Sequence, residues 1–263
     1  MSGPTPLLDF FKRGEVARDA RLLAAQGVIA PRALEQLAIL VLLLDDPDPE
    51  IRRTADDTLS RIPREALRNF LARSDIPIGL REFFADRGVF PNLVPPIDMP
   101  EDLDLPLIET AAEDDPLASE EDEGDRTSAV QQLAGMSFTD RLKTAVKGSR
   151  EMRAILIRDT NKMIASAVLS SPKVSEQEIE SFARMHNVSE DVLRTIGNTR
   201  SWIKSYNIMV ALTKNPKTPI TMSMNFMARL NDRDVARLSV DRNVPDPLRI
   251  AARKKVVAAT SRK

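Results

Sequence analysis

The stretch Ser74–Phe84, SDIPIGLREFF, and the stretch Asp241–Ala251, DRNVPDPLRIA, share one phrase: an aliphatic residue, a proline, two residues, then Leu-Arg. The phrases lie 168 residues apart. Moving the C-terminal region back by that offset sets Leu212 on Leu44, Met227 on Leu59, Leu230 on Ile62, Val235 on Leu67 and Leu238 on Phe70. Val244-Pro245 then falls on Ile76-Pro77, and Leu248-Arg249 on Leu80-Arg81. Apolar positions coincide at helical spacing, and a proline opens a further helix in both places. A looser copy lies between: residues 168–182 resemble residues 211–226 at an offset of 44, with Pro172 on Pro216 and Phe182 on Phe226. NVSEDVLR at 187–194 then echoes NVPDPLR at 243–249. Helix pairs recurring every 40-odd residues are the mark of a helical solenoid, in which each pair buries its apolar stripe against the next.

The chain around these copies reads as short helices. Ile51, Ala55, Leu59 and Ile62 form an amphipathic stripe at helical spacing. Most segments open at Ser, Thr, Asp or Pro, the residues suited to helix starts, and SFTDRLKTAVKG ends at Gly148, a C-cap residue. No alternating strand pattern stands out. Between Asp98 and Asp125 the chain carries 13 acidic residues and no Lys or Arg, behind a Pro-rich run. Such a composition buries too little apolar surface to offset ordering entropy, so residues 96–130 are expected to be flexible and without lasting secondary structure. The expected organisation is an N-terminal helical repeat module over 1–92, an acidic disordered linker over 93–134, and a helical repeat domain of about three helix pairs over 135–263. The fold class is all-α, an α-solenoid of short HEAT-like helix pairs.

Composition removes several chemistries. No cysteine means no disulfide, thiol nucleophile or Cys-bound metal, and the single histidine, His186, rules out a multi-His site. Nine glycines leave little material for phosphate loops. No cofactor, metal or catalytic residue is expected. The apolar run through Ala38–Leu44 is far too short to span a membrane, and the opening MSGPTPLLDFF lacks the pattern of a secretory signal. The expectation is a soluble, cytoplasmic protein. The net charge of −1 conceals an asymmetry: residues 1–139 carry 14 Lys+Arg against 27 Asp+Glu, and residues 140–263 carry 24 against 12.

The region from about Arg141 to Val256, with GSREMRAILIRDTNKMIASAVLSSP, NVSEDVLRTIGNTRSW and LTKNPKTP, resembles the HEAT-like or leucine-rich-repeat-variant helical repeats of bacterial proteins. In particular it resembles an uncharacterised bacterial group with an acidic, variable segment ahead of a helical C-terminal region. The resemblance covers nearly half the chain and implies fold rather than activity.

The candidate sites are few. His186 reads as a helix-end or surface histidine, and Asp159-Thr160-Asn161-Lys162 as a helix start. The pairs Asp45-Asp46 and Asp56-Asp57 read as capping or solvated carboxylates. Trp202 and Tyr206, the chain's only Trp and Tyr, fall at helical spacing. They are read as neighbours on one helix face, either packing between repeats or offering an aromatic platform. Arg229, Arg233 and Arg237 fall at four-residue spacing and suggest a basic stripe, with Arg253, Lys254 and Lys255 crowding the tail. These eight residues form the expected partner-binding surface. The leading expectation is a non-catalytic scaffold for a protein partner, an acidic one or the chain's own linker. The alternative is nucleic-acid binding through phosphate contacts.

Overall fold

The computed structural model describes residues 6–30, 32–92, 106–107 and 126–260, and within them the chain is entirely helical. It divides into two compact units. The first comprises Met1–Leu156 and Met163–Lys173; the second comprises Ile157–Lys162 and Val174–Lys263. Residue 135, the expected start of the C-terminal domain, therefore lies inside the first unit.

The first unit contains α1 (Pro6–Arg13), α2 (Arg18–Ala25), α3 (Ala33–Leu43), α4 (Pro49–Ser60), α5 (Arg64–Leu71) and α6 (Ile78–Asp86). These are followed by α7 (Arg126–Ala134), α8 (Phe138–Lys147), α9 (Arg150–Leu156) and most of α10 (Lys162–Ser170). Local chemistry sets the boundaries. The Asp48 side chain accepts the Glu50 N–H and Pro49 opens α4, which satisfies a donor that the first turn leaves orphaned. That backbone hydrogen bond is also the main cause holding the Asp48 carboxyl below its ordinary range. Ser137 caps α8, and Gly148 ends it as the sequence suggests. The buried Arg153 guanidinium donates to the Gly148 and Lys173 carbonyls at 2.8 and 3.3 Å.

α3 is apolar almost throughout and buries a carboxylate within that surface. Glu35 has no exposed surface. Its Oε1 accepts the Leu7 and Leu8 N–H groups at the start of α1, at 2.9 and 3.3 Å. Glu35 Oε2 and the fully buried Ser170 Oγ have no hydrogen-bond partner among the described residues. Burial pushes the Glu35 carboxyl up to about 7, against the opposing pull of the two N–H groups and of Arg32.

The expectation that residues 96–130 lack lasting structure is corrected at its C-terminal end, because α7 begins at Arg126. Helix also occupies 126–134 of the expected linker. Most of the acidic run lies outside the described residues. Leu107, which is described, donates its N–H to Gln36 Oε1 at 3.0 Å.

The second unit contains α11 (Glu176–Arg184), α12 (Glu190–Asn198), a 3-10 turn (Trp202–Lys204), α13 (Tyr206–Lys214), α14 (Ile220–Arg229), α15 (Asp232–Val240) and α16 (Asp246–Thr260). Ser175 and Glu178 form a reciprocal capping box on α11, while Ser189 and Asn231 cap α12 and α15. The core beneath α14–α16 gathers Met227, Leu230, Val235, Leu238, Val244, Leu248 and Ala252.

The offset of 168 carries the first residues of α5 and α6 onto those of α15 and α16, whereas α14 begins three residues later than α4 would place it. Ile76, Leu80, Val244 and Leu248 are all buried. So are both members of the pairs Leu59/Met227, Ile62/Leu230, Leu67/Val235 and Phe70/Leu238. Leu44 departs from this: it is half-buried where Leu212 is fully buried.

Five interhelix loops share one form, at 73–77, 171–175, 185–189, 215–219 and 241–245. Each has two turn residues, then Ile, Val or Thr, then a Ser or Pro before the next helix. The fourth position is buried in four of them, at Ile76, Val188, Thr218 and Val244, and half-buried at Val174. In three, the first side chain accepts the N–H two residues on: Lys173 to Ser171, Lys217 to Asn215 and Asn243 to Asp241. Such turns redirect the chain without a glycine.

Candidate functional site

The second unit carries a groove of about 360 Å³. Its long wall is α13, where Asn207, Val210, Ala211 and Lys214 recur at helical spacing and line one side. Arg184, the last residue of α11, and His186 from the following loop also line it. The loop between α15 and α16 supplies Asp241 and Asn243.

Asn215, itself part of the lining, fixes this geometry. It is almost wholly buried. Its Nδ2 donates to the Ala183 and Met185 carbonyls at 2.8 and 2.9 Å, and its Oδ1 accepts the Lys217 N–H at 3.0 Å. The Lys217 ammonium adds a bond to the Val188 carbonyl. One carboxamide thus ties the C-terminal end of α11 to the end of α13, and holds the His186 loop against the groove.

The remaining polar groups of the lining are in reach of a ligand, although Arg184 and Asp241 have partners of their own and Lys214 feels the Asp234 carboxylate. His186 and Asn243 are exposed, and neither His186 nor Lys214 has an ion pair or hydrogen bond to another side chain among the described residues. Arg184 is paired with Glu180, but its side chain is 68% exposed. An exposed pair of this kind is worth at most about 1 kcal/mol, so exchanging it for a ligand carboxylate costs little. Asp241 Oδ1 accepts the Asn243 N–H at 2.9 Å, and the carboxylate makes no ion pair among the described residues. The groove therefore presents cationic donors, neutral carboxamides and one anionic acceptor.

The expected surface is arranged differently. Trp202 and Tyr206 do not share a helix face: Trp202 lies in the 3-10 turn and Tyr206 opens α13. The Tyr206 hydroxyl donates to Asp234 Oδ2 at 2.6 Å and accepts the Asn231 N–H at 3.2 Å, tying α13 to the start of α15. Burial and that donation hold the phenol above its ordinary value, and the same hydrogen bond is the main cause lowering Asp234.

Arg229, Arg233 and Arg237 do not form one stripe, because α14 ends at Arg229 and Asn231 caps a new helix. Arg237 pairs with Asp234 at 3.4 Å. Arg253 donates to the Ser239 carbonyl at 2.9 Å, and the Lys255 ammonium to the Met227 and Ala228 carbonyls at the end of α14. Arg229, Arg233 and Lys254 are exposed and without an ion pair among the described residues. None of these eight residues lines the groove. Asp159 accepts the Asn161 N–H in a turn that leads into α10, and Lys162 pairs with Asp191 at 2.7 Å. Asp46 is buried against Arg21 at 2.9 Å.

Among the described residues no three His, Asp or Glu side chains converge as a metal site, and no helix is long and apolar enough to cross a membrane. No protein-family model, curated protein or solved structure matches the chain.

Proposed function

We propose that this chain is a non-catalytic protein-interaction scaffold, an α-solenoid of short HEAT-like helix pairs that works in the cytoplasm and holds an acidic segment of a protein partner. The solenoid reading draws support from the coincident helix starts at an offset of 168 and from the five loops of one form. One observation carries the choice of ligand: the groove wall mixes donors with an anionic acceptor. A peptide offers both N–H donors and carbonyl or carboxylate acceptors. A phosphodiester backbone offers acceptors only, and it would leave Asp241 desolvated against like charge.

A second reading, nucleic-acid binding, rests on Arg229, Arg233 and Lys254, three exposed cations outside the groove. One titration separates the two. The full chain is mixed with a synthetic peptide of the sequence Asp98–Asp125, or with duplex DNA, at physiological salt. The scaffold reading expects peptide binding that Lys214→Glu weakens at least about tenfold, the effect of losing one charge-assisted contact. The nucleic-acid reading expects tight DNA binding that falls steeply with salt and disappears when Arg229, Arg233 and Lys254 are reversed in charge.

A further inference from the structure

We propose that Asp241 is a specificity filter, which admits an acidic peptide to the groove and rejects a phosphodiester strand. This rests on the docking reading above and concerns the same site. The rim cations Arg184 and Lys214 attract any anion, and by themselves they would not distinguish a carboxylate from a phosphate. Asp241 does distinguish them, by what it can accept. Its Oδ1 is engaged by the Asn243 N–H, which fixes the carboxylate in the loop and leaves Oδ2 for a ligand donor.

A bound peptide supplies that donor from its backbone while its acidic side chain meets Lys214 and Arg184. A phosphodiester strand has no donor on its backbone, and every oxygen it brings near Asp241 carries negative charge. Two further carboxylates lie close by, Glu180 beside Arg184 and Asp234 within electrostatic reach of Lys214, and both are common to the parent chain and to a variant at Asp241. Glu180 is paired with Arg184, and Asp234 accepts from the Tyr206 hydroxyl. The loop itself tolerates the needed test, since asparagine offers the same Oδ1 acceptor to the Asn243 N–H.

The test measures fluorescence anisotropy on the full chain and its Asp241→Asn variant, with two labelled probes. One is the Asp98–Asp125 peptide; the other is an oligothymidylate of about ten nucleotides. Removing one negative charge beside the anion site should shift the ratio of affinities toward the oligonucleotide on the order of tenfold. An unchanged ratio, with both affinities altered by the same factor, overturns the filter while leaving docking intact. Lys214→Glu is run alongside. If the peptide does not bind, or binds without regard to Lys214, the groove itself is the wrong site and the filter falls with it.

Discussion

Replacing Leu248 by alanine should lower the unfolding free energy by about 2–5 kcal/mol, the range for truncating a fully buried leucine. Leu248 has no exposed surface and sits on α16 among Met227, Leu230, Val235, Leu238, Val244 and Ala252. The truncation loses the transfer energy of the removed carbons and leaves a cavity that neighbours on three helices fill only in part. Leu80, its counterpart at an offset of 168, retains 9% exposure and should respond in the same direction with a smaller loss. Urea denaturation reads both, as a lower midpoint at unchanged slope. A change of a few tenths of a kcal/mol at Leu248 would contradict its placement in the core.

Glu35 should make stability depend on pH in the neutral range. Its folded value of about 7 stands above the ordinary 4.5, so between those limits the folded chain binds more protons than the unfolded one. A raised folded value contributes stability that is fully present below 4.5 and is lost as pH rises through 7. The difference corresponds to about 3 kcal/mol. Glu35→Gln removes the titration while keeping an oxygen for the Leu7 and Leu8 N–H groups. The stability of the variant relative to the parent should therefore grow by about 3 kcal/mol between pH 4.5 and 7.5, while both chains share every other titration. Parallel pH profiles would show that Glu35 is not buried as described.

What the sequence revealed and concealed follows from the range of the forces involved. Burial periodicity is local, so Ile76, Leu80, Val244 and Leu248 are legible as core positions from spacing alone. Glu35 is not. Within the apolar run of α3 its charge suggests a solvated position, and only α1, arriving from 28 residues away, supplies the donors that let it be buried. The arginine stripe failed for a local reason: Asn231 caps α15, so the four-residue spacing crosses a break between helices. The α7 segment follows directly on the acidic run, whose composition masks its helix formers, although Ala129 and Leu133 lie one turn apart and are both buried. The groove joins α13 to two loops 55 residues apart, at His186 and Asp241. The Asn-Val-Ser/Pro phrase recurs in those loops, but in the sequence it marks a repeat and not a groove.

The most direct measurement is a ¹H–¹⁵N NMR titration of the full chain with the Asp98–Asp125 peptide. Docking in the groove predicts saturable shifts centred on the side-chain amides of Asn207 and Asn243 and the backbone amides of His186 and Lys214. Shifts centred instead on Arg229, Arg233 and Lys254, or no shifts with peptide in excess, would contradict it.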